Sequence, residues 1–186
     1  VAEDKIIMLN IALTVFFAGL VSAAPAKLVF HPTDWPAWRG LHGNGHAQAV
    51  DGLPTTWSAT RNVVWKIPIP GRGHSTPTIV GNRIYLATAN ENKQVQSVLC
   101  LDKDTGKLIW ATPVHKGKFV KGGNKNASHA SSAVVCDGER LYVSFPNDKK
   151  IVTSALSLAG KLLWQRAVTD YKIHQGFGTS PMVCKD

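Results

Sequence analysis

The stretch that decides the fold is Leu99 to Trp110, LCLDKDTGKLIW. An apolar run ends at Asp102. Lys103-Asp104-Thr105-Gly106 makes a tight polar turn, and Lys107-Leu108-Ile109-Trp110 opens a second apolar run. Apolar runs on both sides of a short turn ending in glycine predict two antiparallel strands joined as a hairpin. The pattern returns at Ala155 to Trp164, ALSLAGKLLW, with one turn residue fewer. Trp110 and Trp164 stand 54 positions apart (164 − 110). Trp65, within NVVWKIPI, is followed by Pro68 and Ile69 as Trp110 is followed by Pro113 and Val114. It marks a third copy of the same strand, without a preceding hairpin.

Working outward, Ser75–Val80, Arg83–Thr88, Val98–Asp102 and Lys107–Val114 read as four consecutive strands. Ser131–Cys136, Arg140–Phe145, Ile151–Leu158 and Lys161–Val168 repeat that order, and a further unit begins at Thr179-Ser180-Pro181. Helical periodicity is not convincing anywhere after the first 26 residues. A four-stranded unit of about 50 residues cannot cover its own two faces and must stack on copies of itself. Antiparallel four-stranded sheets stacked radially make a β-propeller, which takes about 4–8 blades. The expected fold is therefore all-β, a partial propeller preceded by an N-terminal signal helix. The expected division is a signal peptide over 1–26, an arm over 27–61 and propeller blades over 62–186. Two blades are whole, about 74–114 and 129–168, and strands at 62–69 and 179–186 belong to incomplete ones. Two whole blades do not close a ring, so the chain reads as the front part of a longer propeller.

Cys100-Leu101-Asp102, Thr105-Gly106 and Trp110 resemble the tryptophan-docking pattern Ala-x-Asp-x-x-x-Gly-x-x-x-Trp of the PQQ-type (pyrroloquinoline quinone repeat) propellers. Ala155, Gly160 and Trp164 match it with one residue deleted and Ser157 at the Asp position. The opening WPAWRG, with GRGHSTP and HQGFGTSP, is similar to secreted members of that family abundant in planctomycete-type bacteria. The resemblance implies that Trp65, Trp110 and Trp164 are wedges between blades, and that Asp102, Gly106 and Gly160 belong to the turns receiving them. That role is structural and needs no ligand. The same propeller serves quinoprotein dehydrogenases, an outer-membrane protein assembly factor and kinase sensor domains, so fold alone does not name a function.

The first residues place a short charged start before the apolar run Ile6–Val21 and the small residues Ser22-Ala23-Ala24-Pro25-Ala26. This is the pattern of a secretory signal, cleaved after Ala24 or Ala26. The alternative is an uncleaved anchor, the apolar run being only slightly short of a span of about 20 residues. Export to the periplasm, cell surface or medium follows, with no stable membrane insertion after cleavage. Formal net charge is +9 over 186 residues. The basic residues are scattered, and only Lys116, Lys118, Lys121 and Lys125 crowd one glycine-rich loop. No specific nucleic-acid partner is expected. Cys100, Cys136 and Cys184 form no Cys-x-x-Cys pair. One disulfide is open to them, with no choice of pairing from sequence.

For chemistry, His74, His129 and His174 each precede the first strand of successive units and are weak candidates to ring one mouth of a central channel. No carboxylate accompanies them at ligand spacing, and no metal site is expected. His42, His46 and His115 read as loop residues. The resemblance to quinoprotein dehydrogenases implies PQQ beside a calcium or lanthanide ion, an Asp base and often adjacent cysteines. The sequence has no Cys-Cys pair and no Asp that matches such a motif. The expectation is an exported, non-catalytic scaffold that holds a protein or glycan on a propeller face, without a cofactor. The alternative is a quinoprotein oxidoreductase using PQQ with Ca²⁺.

Overall fold

The computed structural model describes residues 29–48 and 51–184. The expected signal segment, residues 1–26, lies outside them. Among the described residues there is no helix, and none is therefore long and apolar enough to cross a membrane. Eight strands form two antiparallel sheets in sequential order. The first sheet holds β1 (Thr78–Val80), β2 (Arg83–Asn90), β3 (Val95–Asp102) and β4 (Leu108–Lys116). The second holds β5 (Val135–Cys136), β6 (Arg140–Asn147), β7 (Lys150–Ser157) and β8 (Leu162–Asp170). These are two consecutive propeller blades, each an up-and-down meander from inner to outer strand.

The chain makes meanders because its turns are short and polar and its strands alternate. Asp102 organises the β3–β4 turn. Its Oδ1 accepts hydrogen bonds from the Thr105 amide (2.9 Å) and hydroxyl (2.8 Å), and its Oδ2 accepts one from Asn82 Nδ2 (2.9 Å). The two Thr105 bonds foremost, with the Asp104 amide and the Arg83 charge, hold the Asp102 carboxyl below its usual range. Ser157 does the same work in the second blade, its Oγ accepting the Lys161 amide at 3.1 Å. Both β3–β4 and β7–β8 carry irregularities in register, so the outer strands bend away from a flat ladder.

The core lies between the blades. Tyr85, Val98, Cys100 and Val114 of the first sheet meet Val134, Cys136, Leu141, Val143, Phe145 and Leu156 of the second. Phe145, Leu141 and Val98 are wholly excluded from solvent. The inner strands are tied by the Thr78 hydroxyl, which donates to the Val134 carbonyl. The arm seals one end. Trp35 pairs with Ile79 in both directions (2.7 and 3.0 Å), the Pro36 carbonyl accepts the Cys136 amide (2.8 Å), and Asp34 Oδ1 accepts the Gly81 amide (2.9 Å). The arm thus crosses the inner strands of both blades at the end where β1–β2, β3–β4, β5–β6 and β7–β8 turn. The opposite end carries the β2–β3 and β6–β7 turns and the long crossover of residues 117–134.

Three readings are corrected. Residues 62–69 are not a strand: Trp65 is placed there, but the segment has no ladder partner among the described residues. Residues 179–184 are likewise without ladder hydrogen bonds. A strand pattern in sequence needs a neighbour to pair with, and neither segment has one among the described residues. His115 stands on β4, half-buried, rather than in a loop. Strands β2, β3, β4, β6 and β8 also run further toward the crossover end than their apolar cores suggested. Polar Asn90, Gln96 and Asn147 continue the ladders there because paired backbone, not apolarity, sets strand length.

Candidate functional site: the docking turns and the crossover-end cleft

Gly106 and Gly160 have left-handed backbone conformations, with φ of 70° and 85°. Each lies under an indole. A β-carbon at Gly106 would stand 2.6 Å from the Trp65 ring, and one at Gly160 would stand 2.6 Å from the Trp110 ring. Only glycine meets both demands, a positive φ and no side chain under the ring. Trp65 Nε1 also donates to the Lys103 carbonyl at 2.9 Å, and the Thr112 hydroxyl donates to the Gly160 carbonyl at 2.6 Å. The tryptophan preceding one blade therefore sits on the β3–β4 or β7–β8 turn of the next. Trp164 stands in the same relation to its own sheet as Trp110, with Tyr142 at 6.0 Å as Tyr85 lies 6.0 Å from Trp110. Among the described residues no turn lies upon it, and it is 44% exposed.

The histidines are less alike than their order suggests. Strand register pairs Thr78 with Tyr85 and Val135 with Tyr142, an offset of 57 between blades (142 − 85). By that offset His129 corresponds to Arg72 (129 − 72), not to His74. The 54-residue spacing of Trp110 and Trp164 does not carry upstream, because the β6–β7 turn is two residues shorter than β2–β3 and the β7–β8 turn one residue shorter than β3–β4. His74 and His174 are exposed, and among the described residues no group of three or more His, Cys, Asp or Glu side chains converges to hold a metal ion. All three cysteines are free thiols, and burial pushes Cys100 and Cys136 up to about 11.

His129 instead lines a cleft of about 250 Å³ at the crossover end, with Arg72, Glu91, Lys125, Ile173 and Phe177. Arg72 Nη2 donates to the Asn126 carbonyl at 2.8 Å, and Nη1 stands 3.9 Å from Glu91 Oε1. Both partners of that loose pair remain over 40% exposed. The His129 ring lies on Phe119, centroids 4.5 Å apart, and its burial lowers its pKa from the ordinary histidine value. Beneath it, wholly buried Gln96 fixes the backbone by donating Nε2 to the His129 carbonyl (2.9 Å) and the Pro146 carbonyl (3.1 Å). Ile173 packs on Gly123, and Phe177 meets Tyr171 edge-on at 5.9 Å. A larger cleft, about 330 Å³, lies within the arm. Its one carboxylate, Asp34, is already committed to the His31 and Gly81 amides.

Arg72, Glu91, Gln96, Ile173 and Phe177 escaped the sequence reading, which followed the tryptophans. The signal was present in the paired motifs RIY (83–85) and RLY (140–142), which carry the 57-residue offset.

Antiparallel four-stranded blades, joined by a tryptophan seated on the next blade's glycine turn, define a propeller of the PQQ-repeat class. The family model described as outer membrane protein assembly factor BamB matches residues 44–176, and the chain belongs to that family. A search of the curated proteins finds no match.

Proposed function

We propose that this chain is an exported, non-catalytic binding scaffold for a protein partner. The observation that carries the reading is the use to which its signature residues are put. Trp65, Trp110, Asp102, Gly106 and Gly160 all serve blade joining and turn geometry. What remains for recognition is loop surface at the crossover end, the usual place for binding in a rigid sheet scaffold. The family description, an assembly factor of outer membrane proteins, supports a protein partner over a glycan. The same words and the signal-like residues 1–26 support export.

The test is reconstitution of the full chain with PQQ and Ca²⁺. We expect no stoichiometric quinone absorbance and no dye-linked turnover of alcohols or sugars; binding with turnover would replace the scaffold by the oxidoreductase. For export, the mature protein is expected in the periplasmic or surface fraction with a mass consistent with cleavage after Ala24 or Ala26. Retention of the full-length mass in the cytoplasm would overturn it.

A further inference from the structure

We propose that the crossover-end cleft is an anchor pocket for an acidic side chain with an apolar neighbour, presented by a protein partner. The inference rests on the scaffold reading and names the chemistry by which it would work. Size comes first. A cleft of about 250 Å³ is below the range of about 300–1,000 Å³ typical of small-molecule and cofactor sites. It is suited to one or two side chains inserted from a surface, the way interface anchors fill pockets.

Charge comes second. Arg72 is held by one carbonyl and a loose 3.9 Å contact with Glu91. A planar guanidinium recognises carboxylate best through two parallel bonds, and no such fork forms here. Lys125 adds a second cation, and neither it nor nearby Lys121 takes part in an ion pair among the described residues. Lys118, by contrast, is bound to Asp148 at 2.8 Å. With Glu91 set against Arg72, the lining keeps an excess of positive charge. Ile173 and Phe177 make the other wall apolar.

Rigidity comes third. The floor is the His129 backbone, clamped by a buried glutamine that reaches from one blade to the other. A preorganised floor loses little freedom on binding. The arm closes the opposite end of the inner strands, so recognition falls to this one.

The probe is a fluorescein-labelled peptide of alternating Asp and Phe, titrated into the full chain and followed by anisotropy. Saturable binding is expected, weakened on raising salt from about 50 to about 300 mM because the contacts are partly exposed charges. Arg72→Ala and Lys125→Ala should each weaken it about tenfold, equal to about 1.4 kcal/mol. Glu91→Gln should strengthen it by freeing the guanidinium. An unchanged urea midpoint for Lys125→Ala, an exposed residue, separates lost binding from lost folding. Equal binding of the peptide with Asn in place of Asp, or no effect of either cation substitution, would overturn the proposal. Displacement of the peptide by a neutral oligosaccharide would overturn it too, assigning the cleft to glycans. Absence of peptide binding without PQQ turnover removes the anchor and leaves the scaffold; turnover with PQQ and Ca²⁺ removes the scaffold itself.

Discussion

At Gly106 and Gly160 two costs of substitution coincide. A methyl group at either would overlap an indole at 2.6 Å, and the backbone lies in a region that side chains disfavour. Overpacking costs about 1–3 kcal/mol and a left-handed residue about 1–2 kcal/mol. Gly106→Ala and Gly160→Ala should therefore each destabilise the fold by about 2–5 kcal/mol in urea unfolding followed by tryptophan fluorescence. Gly81→Ala is the control. Its φ is also positive, at 55°, but nothing lies within 4 Å of a β-carbon there. It should lose only the backbone part, about 1 kcal/mol. Equal losses at the three positions would mean that the indoles move aside and are not firm wedges.

Among the elements, β3 and β4 carry polar groups that bind one blade to the next, as Thr78 of β1 does. Gln96 on β3 is buried and satisfies two carbonyls of the second blade. Gln96→Leu leaves those carbonyls without a donor, and each buried unsatisfied group costs about 1–3 kcal/mol. The expected result is a lowered urea midpoint together with faster amide exchange at residues 128–130. His115 on β4 is the second case. Its Nε2 is buried without a partner, its Nδ1 faces Gln165 Nε2 at 3.4 Å, and its ring stands edge-on to Phe145 at 6.0 Å. Burial lowers its pKa from the ordinary 6.5. The unfolded chain then takes the proton more readily than the folded one, so the contribution is whole above pH 6.5 and is lost as pH falls below it. His129, lowered for the same reason, acts in the same direction. The urea midpoint should drop between about pH 7.5 and about pH 5.5, and His115→Gln should lessen that drop. An identical pH profile for the variant would show that His115 is solvated in solution.

Across the whole molecule, the same strand position has opposite surroundings in the two blades. Val114 is 6% exposed and its counterpart Val168 is 65% exposed; Trp110 is covered by a turn and Trp164 is not. With Leu163 they leave an apolar face on β8, which in water favours association. Trp164→Arg combined with Val168→Lys should reduce self-association in size-exclusion chromatography and change stability by about 0.5 kcal/mol or less, as surface substitutions do. Trp110→Arg should unfold the protein instead, since that ring is wedged over Gly160 beside the shared core. If the Trp164→Arg/Val168→Lys variant unfolded as readily, the β8 face would be covered in solution.

Repetition alone made the blades legible. Alternating strands, short polar turns and tryptophans 54 residues apart are local patterns, and local patterns survive in a single sequence. The family resemblance pointed to the tryptophans as wedges between blades, but which turn's glycine Trp65 and Trp110 each cover came from the fold. What the chain could not reveal by itself was which residues meet at the crossover end. Arg72, Glu91, Lys125, His129 and Phe177 are drawn together from four separate segments, and the shorter β6–β7 and β7–β8 turns hide from the tryptophan spacing that His129 lies level with Arg72. Nor does any pattern distinguish Val114 from Val168, because burial of an outer strand depends on what lies across from it, a property of the assembled blades.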